Sequence, residues 1–174
     1  MNRKVILACV LITIMLTGCE TAKKLGQVIR HPDIQVGKLT EQPSEITVTL
    51  LTEPDINPNA DGEASPVDVQ LIYMSDDSEL QAADYDQIAS TALPDVLGKN
   101  YIDHQDFSLL PDTIKTQPLV KLDAKTQFIG VVTYFSDDQI TEWKQIESVE
   151  STGHRYRLLV HVRQSSIEMK KEEN

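Results

Sequence analysis

Six stretches of this chain read as short strands, most clearly where apolar and polar residues alternate with a period of two, a repetition that stacked β-sheets bury and helices do not. In EITVTLLTEP, Ile46, Val48 and Leu50 fall on one side and Thr47, Thr49 and Leu51 on the other, and Pro54 ends the run. PVDVQLIYMSDD sends Val67, Val69, Leu71 and Tyr73 to one face and Asp68, Gln70, Ile72 and Met74 to the other, the pattern of a half-buried strand. NYIDHQDFSLLP and QPLVKLDA supply two more strands. TQFIGVVTYFSD is apolar on both faces over residues 128–135, as a central strand requires. HRYRLLVHVRQSS places Tyr156, Leu158, Val160 and Val162 inward, with Arg155, Arg157, His161 and Arg163 outward, and closes the domain. Aromatics make up only 5% of the chain, so the core must be built mostly from Val, Ile and Leu.

One segment changes period. Within SDDSELQAADYDQIASTALPDVLG, Asp84 and Gln87 have the spacing of a capping box, and Tyr85, Ile88, Ala89 and Ala92 form one apolar stripe that stops before Pro94. The segment predicts a helix, preceded by a turn at residues 78–82. The chain of 174 residues is sized for one such domain. The expectation is an all-β, antiparallel β-sandwich over residues 45–165, with a helical insertion near residues 76–93 and a polar tail at 166–174.

The amino-terminal end has another purpose. Arg3 and Lys4 precede an apolar run over residues 5–16, which rises only about 18 Å as a helix and so falls short of a ~30 Å hydrocarbon core. Residues 1–18 read as a secretory signal peptide. Its last residues, Leu16, Thr17 and Gly18 before Cys19, resemble the lipobox of bacterial lipoproteins. That resemblance implies a diacylglycerol thioether and an N-acyl chain on Cys19 and cleavage on its amino side. Loss of Arg3 and Lys4 then takes the net charge from −11 to −13. So acidic a chain repels phosphates, which argues against nucleic acid as a partner. Cys9 leaves with the signal peptide, so Cys19 is the single remaining thiol and neither a disulfide nor a cysteine zinc site can form. Glu20 occupies the place where an Asp would signal retention in the inner membrane, which points to the inner leaflet of the outer membrane, facing the periplasm. Residues 19–44, beginning at the lipidated Cys19, mix charge, Gly and Pro without a period and read as a periplasmic tether.

The chain offers little catalytic chemistry. His31, His104, His154 and His161 have neither the i, i+4 nor the alternate spacing of a metal site, and His161 falls on the solvent face of a strand. There is no GxSxG, HExxH or glycine-rich phosphate loop. Asn57, Asn59, Asp61 and Gly62 match the start of a calcium loop, but Asp68 stands where a bidentate Glu is wanted, and Pro58 and Pro66 intrude.

INPNADGEASPVDVQLIYMSDDSELQAADYDQI, then FSLLP, FIGVVTYFSD and EWK, resembles the TssJ (SciN) family of type VI secretion lipoproteins, over residues 45 to about 162. Asn57, Asn59, Asp61, Gly62, Pro66, Val67, Val69 and Tyr73 follow the family phrase between the first two strands. Ala64 and Ser65, Met74 with Ser75, and Lys144 in place of Arg depart from it. The resemblance implies a transthyretin-like or immunoglobulin-like sandwich, held at the outer membrane, that binds the periplasmic carboxy-terminal region of TssM in a complex with TssL. It also implies that the loop between the first two strands makes the contact. That loop is far longer than a hairpin needs, and Pro54, Pro58 and Pro66 stiffen it. The expected docking residues are Asp55, Ile56, Asn57, Pro58, Asn59, Ala60, Asp61, Gly62, Glu63, Ala64, Ser65 and Pro66. The alternatives are a periplasmic lipoprotein that binds a ligand or peptidoglycan, and an enzyme such as a cell-wall hydrolase.

Overall fold

The computed structural model describes residues 42–137, 139 and 142–173. The expected signal segment, Cys19, His31 and nearly all of the tether lie outside the described residues.

Nine strands among the described residues form two sheets. They are β1 (Glu45–Thr52), β2 (Val67–Met74), β3 (Tyr101–Leu109), β4 (Ile114–Thr116), β5 (Val120–Lys121), β6 (Phe128–Tyr134), β7 (Lys144–Ser148), β8 (Arg155–Val162) and β9 (Ile167–Glu173). One sheet runs β4-β1-β8-β9, with β5 also paired to β1, and the other runs β3-β2-β6-β7. The alternation read from the sequence is the alternation of burial. Ile46, Val48 and Leu50 of β1 and Tyr156, Leu158, Val160 and Val162 of β8 are buried, together with Val67, Val69, Leu71 and Tyr73 of β2. They join Ile129 and Val131 of β6 in one apolar cluster, at roughly 1.5 to 3 kcal/mol per large side chain removed from water.

The sandwich is not antiparallel throughout. β1 and β8 pair in parallel, from Glu45 against Arg155 to Thr52 against Val162. A parallel neighbour needs a long crossover, here supplied by the whole second sheet, and no local pattern encodes it. The carboxy-terminal residues also differ from the expected polar tail. Residues 167–173 form β9, antiparallel to β8 along its full length, from Ile167 against Val162 to Glu173 against Tyr156. IEMKKEE gives a weak apolar signal, with Ile167 alone fully buried, and β9 exists because it completes the free edge of β8. β4 and β7 were likewise not legible as strands, since β4 is exposed throughout and β7 is only partly buried.

Between β2 and β3 lie α1 (Ser78–Ala82), α2 (Tyr85–Ser90), α3 (Leu93–Leu97) and a 3-10 turn (Gly98–Asn100). Asp84 caps α2 by accepting from the Gln87 amide at 2.8 Å, as the spacing predicts. Pro94 does not stop the insertion: it sits in the first turn of α3, where a missing N–H costs nothing, so the insertion runs on to Asn100. Ala89 and Ala92 of the expected stripe are exposed, while Leu80, Ile88, Leu93 and Leu97 are buried.

This insertion covers the part of the second sheet's outer face around Gly130, which is why Ile72 and Met74 are fully buried on the face expected to meet solvent, while Asp68 on the same face is exposed. Leu80 packs so closely over Gly130 of β6 that a Cβ there would stand 2.5 Å from Leu80 Cδ2 and 2.9 Å from Met74 Cε. Lys144 of β7 then fastens α1 from below, its Nζ donating to the carbonyls of Leu80 and Gln81 at 2.8 Å and of Ala83 at 2.6 Å. Burial lowers the Lys144 pKa, against the opposing charge of Asp84. Tyr85 completes the attachment, donating to the Phe135 carbonyl at 2.8 Å and meeting Trp143 edge-on at 5.3 Å.

Candidate functional site

The connection between β1 and β2, residues 53–66, has a buried base and an exposed tip. At the base, Ile56 is fully buried and Asn57 is 4% exposed. Asn57 adopts the left-handed region at φ 48°, which Asn tolerates better than most residues. Both ends of its amide are engaged inside the protein: Nδ2 donates to the Pro66 carbonyl at 2.6 Å and Oδ1 accepts from the Ser136 amide at 2.6 Å. The Asn57 amide nitrogen donates to the Gln164 carbonyl at 3.0 Å, and the Ser65 hydroxyl donates to the Asn57 carbonyl. A single residue thus ties the loop to itself, to the segment after β6 and to the turn between β8 and β9. Ile56 and Asn57, both expected among the docking residues, are thus the buried base that holds the loop in place.

The tip closes on itself. Asn59 Oδ1 accepts from the amides of Asp61 and Glu63, each at 3.0 Å. The Asn59 carbonyl accepts from Gly62 at 2.9 Å and the Asn59 amide donates to the Glu63 carbonyl at 2.8 Å. Gly62 supplies the φ of +80° that this reversal requires. Side-chain acceptors thereby satisfy backbone donors that no neighbouring strand could reach. Asp55, Asn59, Ala60, Asp61, Gly62, Glu63, Ala64 and Pro66 are exposed, and Pro58 and Ser65 are half-buried. The carboxylates of Asp55, Asp61 and Glu63 are the charges presented. The oxygens of Asn57 and Asn59 already face N–H donors, so they do not form the ligand set that their calcium-like spacing suggests, and no group of three or more His, Cys, Asp or Glu able to hold a metal occurs among the described residues.

Distant segments reinforce the base. Glu53 donates its amide to the Val162 carbonyl at 3.0 Å, and its carboxylate takes His161 Nε2 at 3.0 Å. His161, expected in solvent, is half-buried and serves this junction. Thr52 donates its hydroxyl to the Leu110 carbonyl at 2.7 Å and accepts from the Thr113 amide at 2.8 Å. Ser136, Gln164, Leu110 and Thr113 could not have been assigned to the site from sequence, since each contributes only a backbone group brought there by the fold.

The other described histidines, His104 and His154, do not converge. His104 bonds Tyr101, and His154 lies between Glu173 and Glu150, stacked on Tyr156. The Glu173 hydrogen bond, helped by Glu150, holds the His154 pKa above its ordinary value against the desolvation that opposes it. Beside the insertion lies an open groove of about 630 Å³, lined by Asp68, Gln70, Asp106 and Tyr134 among others. There the Tyr134 hydroxyl donates to Gln70, and Gln70 Nε2 donates to Asp106 at 2.8 Å. Burial, with the charge of Asp106 adding to it, pushes the Tyr134 pKa up to about 12, so the phenol keeps its proton at neutral pH and remains a donor to Gln70. No described helix is long and apolar enough to cross a membrane.

None of the curated proteins matches the sequence. Among solved structures, TssJ1 from Pseudomonas aeruginosa, a type VI secretion lipoprotein, is similar with a TM-score of 0.69 and 24% identity over 75% of this chain and 97% of that one. Serratia marcescens Lip, a membrane-bound component of the type VI secretion system, is similar with a TM-score of 0.65 and 16% identity over 72% and 96%. A chain of the structure of the type VI protein TssM C-terminal domain from EAEC gives a TM-score of 0.59 and 19% identity over 72% and 97%. At these identities the likenesses establish the sandwich fold. The family model for the type VI secretion lipoproteins, named for VasD, EvfM and TssJ, matches residues 44–165, the β-sandwich that carries the closed acidic loop, and the chain belongs to that family.

Proposed function

We propose that this protein is anchored by lipid on Cys19 in the inner leaflet of the outer membrane, and that it docks the type VI membrane complex by binding the periplasmic carboxy-terminal region of TssM. Residues 58–64 make the contact, and TssL joins through the same complex. The observation that carries this reading is the division of the loop into a base tied by Asn57 and an exposed tip locked by Asn59. A loop whose backbone is closed before binding loses less conformational entropy on association than a flexible one. The family membership and the likeness to a chain of the TssM C-terminal domain structure support the choice of partner. The protein is then a structural component, and its covalent lipid is an anchor instead of a reactive group. At roughly 0.8 kcal/mol per buried methylene, two or three acyl chains hold it at the membrane permanently.

Two measurements test the reading. Pull-down of the tagged, lipidated protein from membranes should recover TssM, and deletion of residues 58–64 should abolish that recovery. Cys19→Ser should release the protein from the outer-membrane fraction and stop secretion; undiminished secretion by this variant refutes the required anchor.

A further inference from the structure

Large apolar side chains are exposed at three positions among the described residues: Leu110 at 61%, Ile114 at 71% and Leu119 at 53%. Two of them stand at the root of the docking loop. The chain leaving β3 turns through Leu110 and Asp112, the latter at φ 53°, and returns as β4 beside the end of β1. This turn is stitched to the residues that open the loop. Thr52 donates its hydroxyl to the Leu110 carbonyl at 2.7 Å, the Thr52 amide donates to Thr113 at 2.9 Å, and the Asp112 amide donates to the Glu53 carbonyl at 3.2 Å. Ile114 is paired in register with Leu51, the half-buried outer residue of β1. Leu119 lies elsewhere: it precedes Val120, which pairs with Ile46 at the opposite end of β1, about 17 Å away at the rise of a strand.

We infer that the docking surface extends from the loop tip onto this turn, and that Leu110, flanked by Ile114, is an apolar anchor for a partner whose face is basic with an apolar socket. The inference rests on the proposed docking function and names a second part of the same surface. Charge selects the partner's chemistry. Asp112 is exposed beside Leu110, Asp55 near the root of the loop and Asp61 and Glu63 at its tip, and none forms an ion pair among the described residues. A neutral or acidic face brought against them would desolvate these carboxylates without compensation, whereas Lys and Arg on the partner would pair with them. A lone Leu in such a rim has the composition of an interface centre, where an apolar side chain enters a pocket and the charges around it set orientation and encounter rate. Nothing in the fold requires Leu110 to be apolar, since its hydrogen bond to the sandwich is made through its carbonyl.

The test is calorimetric titration of the mature lipidated protein, in detergent, with the purified periplasmic carboxy-terminal region of TssM from the same bacterium. Leu110→Ser should weaken binding about 10-fold or more, as for an interface anchor, and Ile114→Thr should weaken it less. Leu119→Ser, equally exposed but remote, should leave affinity within about twofold, and none of the three should lower the melting temperature appreciably, as surface substitutions rarely do. Raising salt should weaken wild type and Leu110→Ser by the same factor, because screening acts on the carboxylates and not on the apolar contact. If wild type and the Leu119 variant bind, loop deletion abolishes binding and Leu110→Ser binds normally, the anchor is overturned while the docking loop stands. If wild type itself does not bind, both fall. Equal losses at Leu110 and Leu119 would overturn the site, binding that strengthens with salt would overturn the basic face, and loss of self-association in Leu110→Ser would assign the surface to a second copy instead.

Discussion

Both β1–β2 and β2–β3 are joined by long connections, and the chain uses them oppositely. The insertion after β2 carries Leu80, Ala83, Ile88, Leu93 and Leu97 into the core, where they cover one face of the second sheet. The loop after β1 gives the core only Ile56 and the amide of Asn57, and everything from Asn59 to Ala64 is exposed. Length alone therefore does not mark a functional loop. What separates the two is how each satisfies its backbone: the insertion forms helical turns and hides apolar side chains, while the tip is closed by the Asn59 side chain and leaves its charges outward. One connection is built into the core, and the other stands outside it with its charges exposed.

The contrast predicts opposite responses to mutation. The largest effect on folding is expected in the insertion, where Leu80→Ala should cost about 2 to 5 kcal/mol in chemical denaturation, because the space above Gly130 is left empty. Partner affinity measured below the melting transition should barely change; a large loss of affinity would mean that the insertion shares in docking. At the boundary between the two behaviours stands Asn57. Asn57→Ala strands the Ser136 amide and frees the Pro66 carbonyl, and should cost about 1 to 3 kcal/mol of stability for the buried group left unpaired. It should weaken partner binding as well, and faster hydrogen exchange across residues 58–65 would show the loop loosening. Stability lost with exchange and affinity unchanged would contradict the role of the base. The smallest effect on folding belongs to the tip, where Asp61→Ala with Glu63→Ala should stay within about 0.5 kcal/mol, as surface changes do. Affinity should nevertheless fall and its salt dependence flatten, so equal affinity for the double variant would reduce the tip to a solvated turn.

How much of this could be read beforehand varied with the strength of local pattern. β1, β2 and β8 were legible because alternation leaves one face no place but the core, and β6 because a short run apolar on both faces has to lie inside a sheet. The cap of α2 was legible because Asp84 and Gln87 are near in sequence. The candidate site was half legible: the length and polarity of residues 53–66 mark a long exposed connection, yet they do not reveal that Ile56 and Asn57 are its buried footing. An isolated Ile in so polar a stretch was the available signal of an anchor. For Asn57 there was none, since its partner Ser136 lies 79 residues away.

The amino-acid sequence by itself determined that this chain stacks two β-sheets, interrupts them once with helices and exposes an acidic loop, because period, capping and polarity are local properties that adjacent residues enforce on one another. Tertiary structure decided the rest. It made β1 and β8 parallel, turned a charged carboxy-terminal segment into β9, buried Ile72 and Met74 of β2 beneath the insertion, and seated the loop between β1 and β2 on backbone groups from three remote turns. Those outcomes depend on which free edges and uncovered faces remain once the local elements have formed, and hydrogen-bonding capacity and apolar area are filled by whatever segment the chain can bring there.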